Sequence, residues 1–108
     1  MELLTVKEKE GTDYKLYELK GGLNAYTIVN IAGKVYEKIQ KTNVVLDMAN
    51  ITELDSSGIG MIMAAHNDGE ESGKKIYLLS ISNEVDRQIL ATGFKDELNI
   101  ISSVTEVE

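Results

Sequence analysis

The residues best suited to chemistry lie in one short stretch, Leu54-Asp55-Ser56-Ser57-Gly58-Ile59-Gly60, where two hydroxyls stand between a carboxylate and two glycines. A serine can attack a substrate, accept a phosphoryl group or cap a helix, and its neighbours separate these roles. A nucleophile elbow needs glycine two residues before and two residues after the serine. Ser56 has Leu54 and Gly58, and Ser57 has Asp55 and Ile59, so the elbow is absent. The one histidine, His66, follows ten residues after Ser56. On a helix that is about 15 Å along the axis, beyond the reach of a general base, and His66 reads as a core or boundary residue.

Two other candidates fail on spacing. Glu70-Glu71-Ser72-Gly73-Lys74-Lys75 looks superficially like a phosphate loop, but Asp68 stands where the first glycine belongs and Lys75 where the hydroxyl belongs. The segment also runs from helix to strand, the wrong direction for helix amides to meet a phosphate. Asp47, Glu53 and Asp55 can gather at the end of one strand, yet one histidine and no cysteine make no recognisable ligand set. No metal and no cofactor is expected, and the three carboxylates read most economically as an exposed acidic loop.

The elements around the serine corner alternate between strand and helix patterns. Leu3 to Lys7 and Tyr14 to Lys20 read as two strands of a hairpin turned by Gly11-Thr12-Asp13. After Gly21-Gly22, the apolar stripe Ala25, Ile28, Val29, Ala32, Val35, Tyr36, Ile39 predicts an amphipathic helix capped by Asn24. Asn43 to Met48 reads as a buried strand, because a β-branched apolar run bounded by polar residues fits the middle of a sheet. A second helix is expected from Ser57 to Ser72, burying Ile59, Ile62, Met63 and His66 and stopped by Gly73. Lys75 to Ser80 predicts a strand, Asn83 a cap for a third helix carrying Val85, Ile89 and Leu90 to Gly93, and Asn99 to Ser102 a last strand or extended tail. The order β-β-α-β-α-β-α-β implies an α/β fold: a single-layer mixed sheet of four to five strands with helices packed on it, as one domain over residues 1–108.

Composition narrows the partners. A formal charge of −7 repels phosphate backbones and anionic headgroups, so neither nucleic acid nor a membrane surface is an expected partner. No apolar run approaches the roughly 20 residues of a membrane span, and ELLTVKEKE after Met1 is no secretory signal. Without cysteine there is no disulfide framework, and a cytoplasmic location is expected.

The serine corner would follow the central strand at its carboxyl end, where open α/β sheets collect functional loops. One reading is that Asp55, Ser56 or Ser57 does no more than cap the second helix, worth about 1 kcal/mol. The other is that one hydroxyl caps while its neighbour is modified, with Gly58 and Gly60 keeping the corner clear of side-chain bulk. A phosphate there would meet helix N–H groups but stand beside Asp55 and Glu53. Local physics leaves both readings open.

Val44-Val45-Leu46-Asp47-Met48 followed by Ile51-Thr52-Glu53-Leu54-Asp55-Ser56-Ser57-Gly58-Ile59-Gly60 closely resembles the strand-loop-helix signature of STAS domains, particularly bacterial anti-sigma factor antagonists. Gly73-Lys74-Lys75, Ser82, Val85, Arg87 and Thr92-Gly93-Phe94 are similar to the family's later segments, so the resemblance runs through nearly the whole chain. It implies a switch protein and no enzyme. Ser56 is the implied phosphorylation site of a partner anti-sigma factor that is itself a serine kinase; the unphosphorylated form binds that kinase and frees a sigma factor, and a serine phosphatase resets the cycle. The implied partner-binding residues are Asn24, Asp55, Ser56, Ser57, Gly58, Ile59 and Gly60. Family members commonly carry Gly-x-Leu/Ile-Asp before the first helix, whereas this chain has Gly21-Gly22-Leu23-Asn24. Because Asn and Asp cap comparably, exchanging them is expected to leave stability nearly unchanged. Two further readings stay open: an unphosphorylated scaffold module of a stress-signalling complex using the same helix face, and a small hydrolase using Ser56 or Ser57.

Overall fold

The computed structural model describes residues 3–107. Along them run β1 (Leu4–Glu10), β2 (Tyr14–Leu23), a 3-10 turn (Ile28–Asn30), α1 (Ala32–Ile39), β3 (Asn43–Leu54), α2 (Ser56–Ser72), β4 (Ile76–Leu79), α3 (Asn83–Thr92) and β5 (Asn99–Ile101). The strands form one five-stranded sheet in chain order; β1 and β2 pair antiparallel and the other neighbours pair parallel. This is the mixed α/β sheet expected from the order of elements.

Because the parallel strands advance across the sheet without reversing, right-handed crossovers place every helix on the same face. Val35 and Ile39 of α1, Met61, Ile62 and Ala65 of α2, and Val85 and Ile89 of α3 accordingly share one core with Tyr17, Leu19, Val44, Leu46, Met48, Ile76 and Leu78. Alternate strand residues point the other way. There Leu16, Val45, Tyr77, Leu79 and Ile101 make a smaller cluster, packed against Val104 and Val107 near the end of the chain.

Several elements differ from the sequence reading. β3 does not stop at Met48 but continues to Leu54. Its pairing with β2 slips twice, between Glu18 and Lys20 and between Gly21 and Gly22, so its buried residues Met48, Ile51 and Leu54 recur at every third position. Such irregularities hide a strand from any search for period two. β1 runs on to Glu10 through Glu8 and Lys9, as a charged edge strand can.

The first helix begins seven residues later than expected, at Ala32, and Val29 is 78% exposed. Asn24 does cap, but only a single turn. Its Oδ1 accepts from Thr27 N at 3.1 Å while Thr27 Oγ1 accepts from Asn24 N at 3.0 Å, a reciprocal capping box. The turn gives way to the 3-10 segment and breaks at Ile31, whose φ of −133° is not helical.

α2 turns a different stripe inward. Its buried residues are Gly58, Met61, Ile62, Ala65 and Gly69, whereas Ile59, Met63 and His66 are only partly buried. Small residues let this helix lie close to its neighbours: a Cβ on Gly69 would stand 2.6 Å from Lys74 O. Counting large apolar side chains therefore set its phase wrongly. In α3, the cap is Ser82, whose Oγ accepts from Val85 N at 3.2 Å, and Asn83 is the first helical residue. Of the apolar residues expected on this helix, Val85 and Ile89 are buried but Leu90 is 54% exposed.

Candidate functional site

β2 and β3 end side by side, with Leu23 opposite Leu54, and the chain passes from Leu54 into α2 through Asp55 alone. Asp55 is extended, and its Oδ1 accepts from Ser57 N at 2.9 Å and Gly58 N at 3.1 Å. Its Oδ2 accepts from Ala25 N at 3.1 Å, and its own N donates to Leu23 O at 3.2 Å. One carboxylate thus caps α2 and ties the loop after β2 to the same corner.

Neither serine caps the helix. Ser56 occupies the first helical position and is exposed; among the described residues its hydroxyl has no hydrogen-bond partner. Ser57, one position on, is partly buried. Since Asp55 occupies the Ser57 and Gly58 amides, a group attached to Ser56 Oγ cannot take those donors without displacing it. It would project into solvent, with the Ser56 N–H nearby.

The glycines do different jobs. Gly58 is buried, and a Cβ there would meet Leu54 Cδ1 at 2.6 Å and Leu23 O at 2.9 Å, so its missing side chain serves packing against the strand ends. Gly60 is exposed, with nothing within 4 Å of a Cβ. The open surface over α2 is thus kept by Gly60 and not by Gly58.

Asn24 is 4% exposed, and its polar atoms are spent within the chain. Besides the Thr27 bonds, Oδ1 accepts from Tyr26 N at 2.9 Å and Nδ2 donates to Glu53 Oε1 at 2.9 Å. Thr27, buried and donating to Gly22 O at 2.7 Å, completes this cluster. Sequence reasoning missed Thr27 and the Asn24–Glu53 contact. The Asn-x-x-Thr spacing was a signal for the first, whereas a pairing across 29 residues left none.

The structure therefore brings Asn24, Asp55, Ser56, Ser57, Gly58 and Ile59 to one end of β2 and β3, with Gly60 on the next exposed position of α2. Glu53 joins them, while Asp47 instead accepts from Ala49 N at 3.1 Å farther back along β3. His66 lies well along α2, its Nε2 3.6 Å from Glu70 Oε1. Among the described residues no group of three or more His, Cys, Asp or Glu is placed to hold a metal, and no helix is long and apolar enough to cross a membrane. A broad concavity of about 1200 Å³ opens beside β1 and the far half of β3, lined by Thr5, Lys7, Lys20, Asn50 and Glu53 among others, but by neither serine.

The family model for the STAS domain matches residues 4–107, taking in every strand and helix described above. The chain belongs to the STAS domain family. Within it, this STAS chain is similar to the anti-sigma-B factor antagonist of Staphylococcus aureus, 28% identical over 101 residues that cover 90% of this chain and 93% of the relative. Among solved structures it resembles the anti-sigma factor antagonist SpoIIAA in its unphosphorylated form, with a TM-score of 0.77 at 17% identity over 92% of this chain and 90% of that one. The Bacillus SpoIIAA in its phosphorylated form gives a TM-score of 0.72 at 17% identity, covering 92% and 93%. At those identities the structural likeness is one of fold. The STAS corner of this chain then has one carboxylate committed to structure, one hydroxyl left outside, and a polar loop locked beneath both.

Proposed function

We propose that this STAS chain is an anti-sigma factor antagonist that works by exchanging partners. Unmodified, it binds an anti-sigma factor that is also a serine kinase and so releases a sigma factor. Phosphorylation of Ser56 ends that binding, and a serine phosphatase restores it. The chain acts as a single STAS domain in the cytoplasm, binds without catalysing, and uses the surface that Asp55, Ser56, Ser57, Ile59 and Gly60 form over buried Asn24 and Gly58.

The observation that carries this reading is the division of labour at the corner. Asp55 caps α2 through the Ser57 and Gly58 amides with no help from either serine, so the exposed Ser56 hydroxyl is surplus to the fold. A hydroxyl kept outside at the first helical position can be modified without unmaking the cap. The name of the Staphylococcus aureus relative and the existence of a phosphorylated form of SpoIIAA support the same reading. Neither serine faces the lone histidine, which leaves the hydrolase reading without a general base.

Incubation with the organism's anti-sigma factor kinase and ATP, followed by peptide mass spectrometry, tests the assignment. One phosphate on Ser56 is expected. Modification confined to Ser57, or none at all, would overturn it, and the second of these outcomes would leave an unphosphorylated scaffold as the reading of the same surface.

A further inference from the structure

Tyr26 and Val29 are 75% and 78% exposed, although both are large apolar residues in a well-packed chain. They lie three positions apart where the backbone winds as a turn over 25–27 and as a 3-10 helix over Ile28–Asn30. In such tight winding, positions i and i+3 lie on the same side, so ring and isopropyl group form one patch. The segment has its inward side already filled, by buried Thr27, partly buried Ile28 and fully buried Ile31. The two outer groups therefore add nothing to the core.

The patch is held beside the serine corner. Ala25 N donates to Asp55 Oδ2, Asn24 Nδ2 donates to Glu53 Oε1, and α2 packs against the 3-10 segment. Contiguous exposed apolar surface next to a polar, acidic rim is the composition of a protein interface, where aromatic anchors carry much of the affinity. Resting on the functional reading above, we propose that Tyr26 and Val29 are the apolar anchor by which this chain docks on its anti-sigma factor, while Ser56 is the switch at the edge of the same surface. The matching partner surface is an apolar cleft rimmed by basic side chains, complementary to Glu53, Asp55 and a chain of net charge −7.

Calorimetric titration with the purified anti-sigma factor of the organism that encodes this chain is the test, using the parent and Tyr26→Ala, Tyr26→Phe, Val29→Ser and Leu90→Ala variants. Thermal melts check each fold, and sedimentation velocity follows self-association. Tyr26→Ala is expected to weaken binding about tenfold or more and Val29→Ser severalfold. Tyr26→Phe and the distant Leu90→Ala should bind like the parent, and all should melt alike. Unchanged affinity in both Tyr26→Ala and Val29→Ser, with the parent binding, overturns this inference alone. A parent that self-associates through the patch, becoming monomeric on either substitution, overturns it in favour of a second copy as the occupant. A parent that binds no anti-sigma factor fails before any substitution is made, and then the functional reading falls together with its anchor.

Discussion

The two residues with the sharpest consequences are Ser56 and Asn24. A carboxylate at the first position of a helix is tolerated by the dipole, so Ser56→Asp should melt within about 0.5 kcal/mol of the parent. At the interface it places a charge against a surface built for a hydroxyl, and binding to the anti-sigma factor should fall about tenfold or more. Ser56→Ala should bind normally but resist release by ATP. Calorimetry with and without ATP distinguishes these, and unchanged binding by both Ser56→Asp and the authentic phosphoprotein would end the switch reading. Asn24 changes an expectation made from sequence. Its Oδ1 could be replaced by a carboxylate oxygen, but its Nδ2 donates to Glu53 Oε1, and Asp would set a buried carboxylate against the exposed one of Glu53. Asn24→Asp should therefore cost about 1–3 kcal/mol at neutral pH, and adding Glu53→Gln should recover most of it by restoring a donor. Urea melts of the single and double variants check this; a single variant as stable as the parent would show that the contact is not held in solution.

At the scale of the element, α2 is the part of the fold on which both packing and recognition depend, and its first two glycines separate the two demands. Gly58→Ala drives a methyl group into Leu54 and the Leu23 carbonyl and should destabilise by about 1–3 kcal/mol. Gly60→Ala meets nothing and should stabilise the helix by about 1 kcal/mol. Since the fold would gain from a side chain at 60, loss of anti-sigma factor binding in a Gly60→Ala protein of raised melting temperature would place the glycine in recognition. Normal binding would remove Gly60 from the partner surface. The strands beneath were read correctly where a continuous apolar run marks a strand buried on both faces, as in Val44 to Met48. They were lost where the β2–β3 register slips and the apolar spacing becomes three.

Across the whole molecule, the charged residues of β1 fasten the hairpin to the helical layer. Lys34 Nζ lies 2.6 Å from Glu8 Oε2, and Lys15 Nζ lies 3.2 Å from Glu8 and 2.8 Å from Glu10. Hydrogen bonds from Lys34 and then Lys15 hold the Glu8 carboxyl below its ordinary value of 4.5, and Lys15 does the same for Glu10. A carboxylate lowered in the folded state contributes stability that is present above its unfolded value and lost as pH falls through the folded one. Stability should thus decline as pH falls below about 4.5, and Glu8→Gln should make that decline shallower while lowering the neutral plateau. Lys15, raised by Glu10 and Glu8, acts oppositely: its contribution is present below 10.5 and lost as pH rises through its folded value. Urea melts across pH at low and high salt check both limbs; an acid decline identical in the Glu8→Gln protein would show that this network carries none of it. By itself the sequence determined the α/β order of elements, the sheet with its helices, and the Asp-Ser-Ser-Gly corner after the central strand, because periodicity, turn residues and local motifs are properties of neighbouring residues. Only the tertiary structure decided that Asp55 and neither serine caps α2, that Gly58 is a packing residue, that Asn24 is bound to Glu53, and that Tyr26 and Val29 face outward. The cap is a local choice among three candidates that the sequence left open; the others depend on which distant backbone lies alongside, and a register slip or a helix rotated by one residue changes them without altering any local pattern.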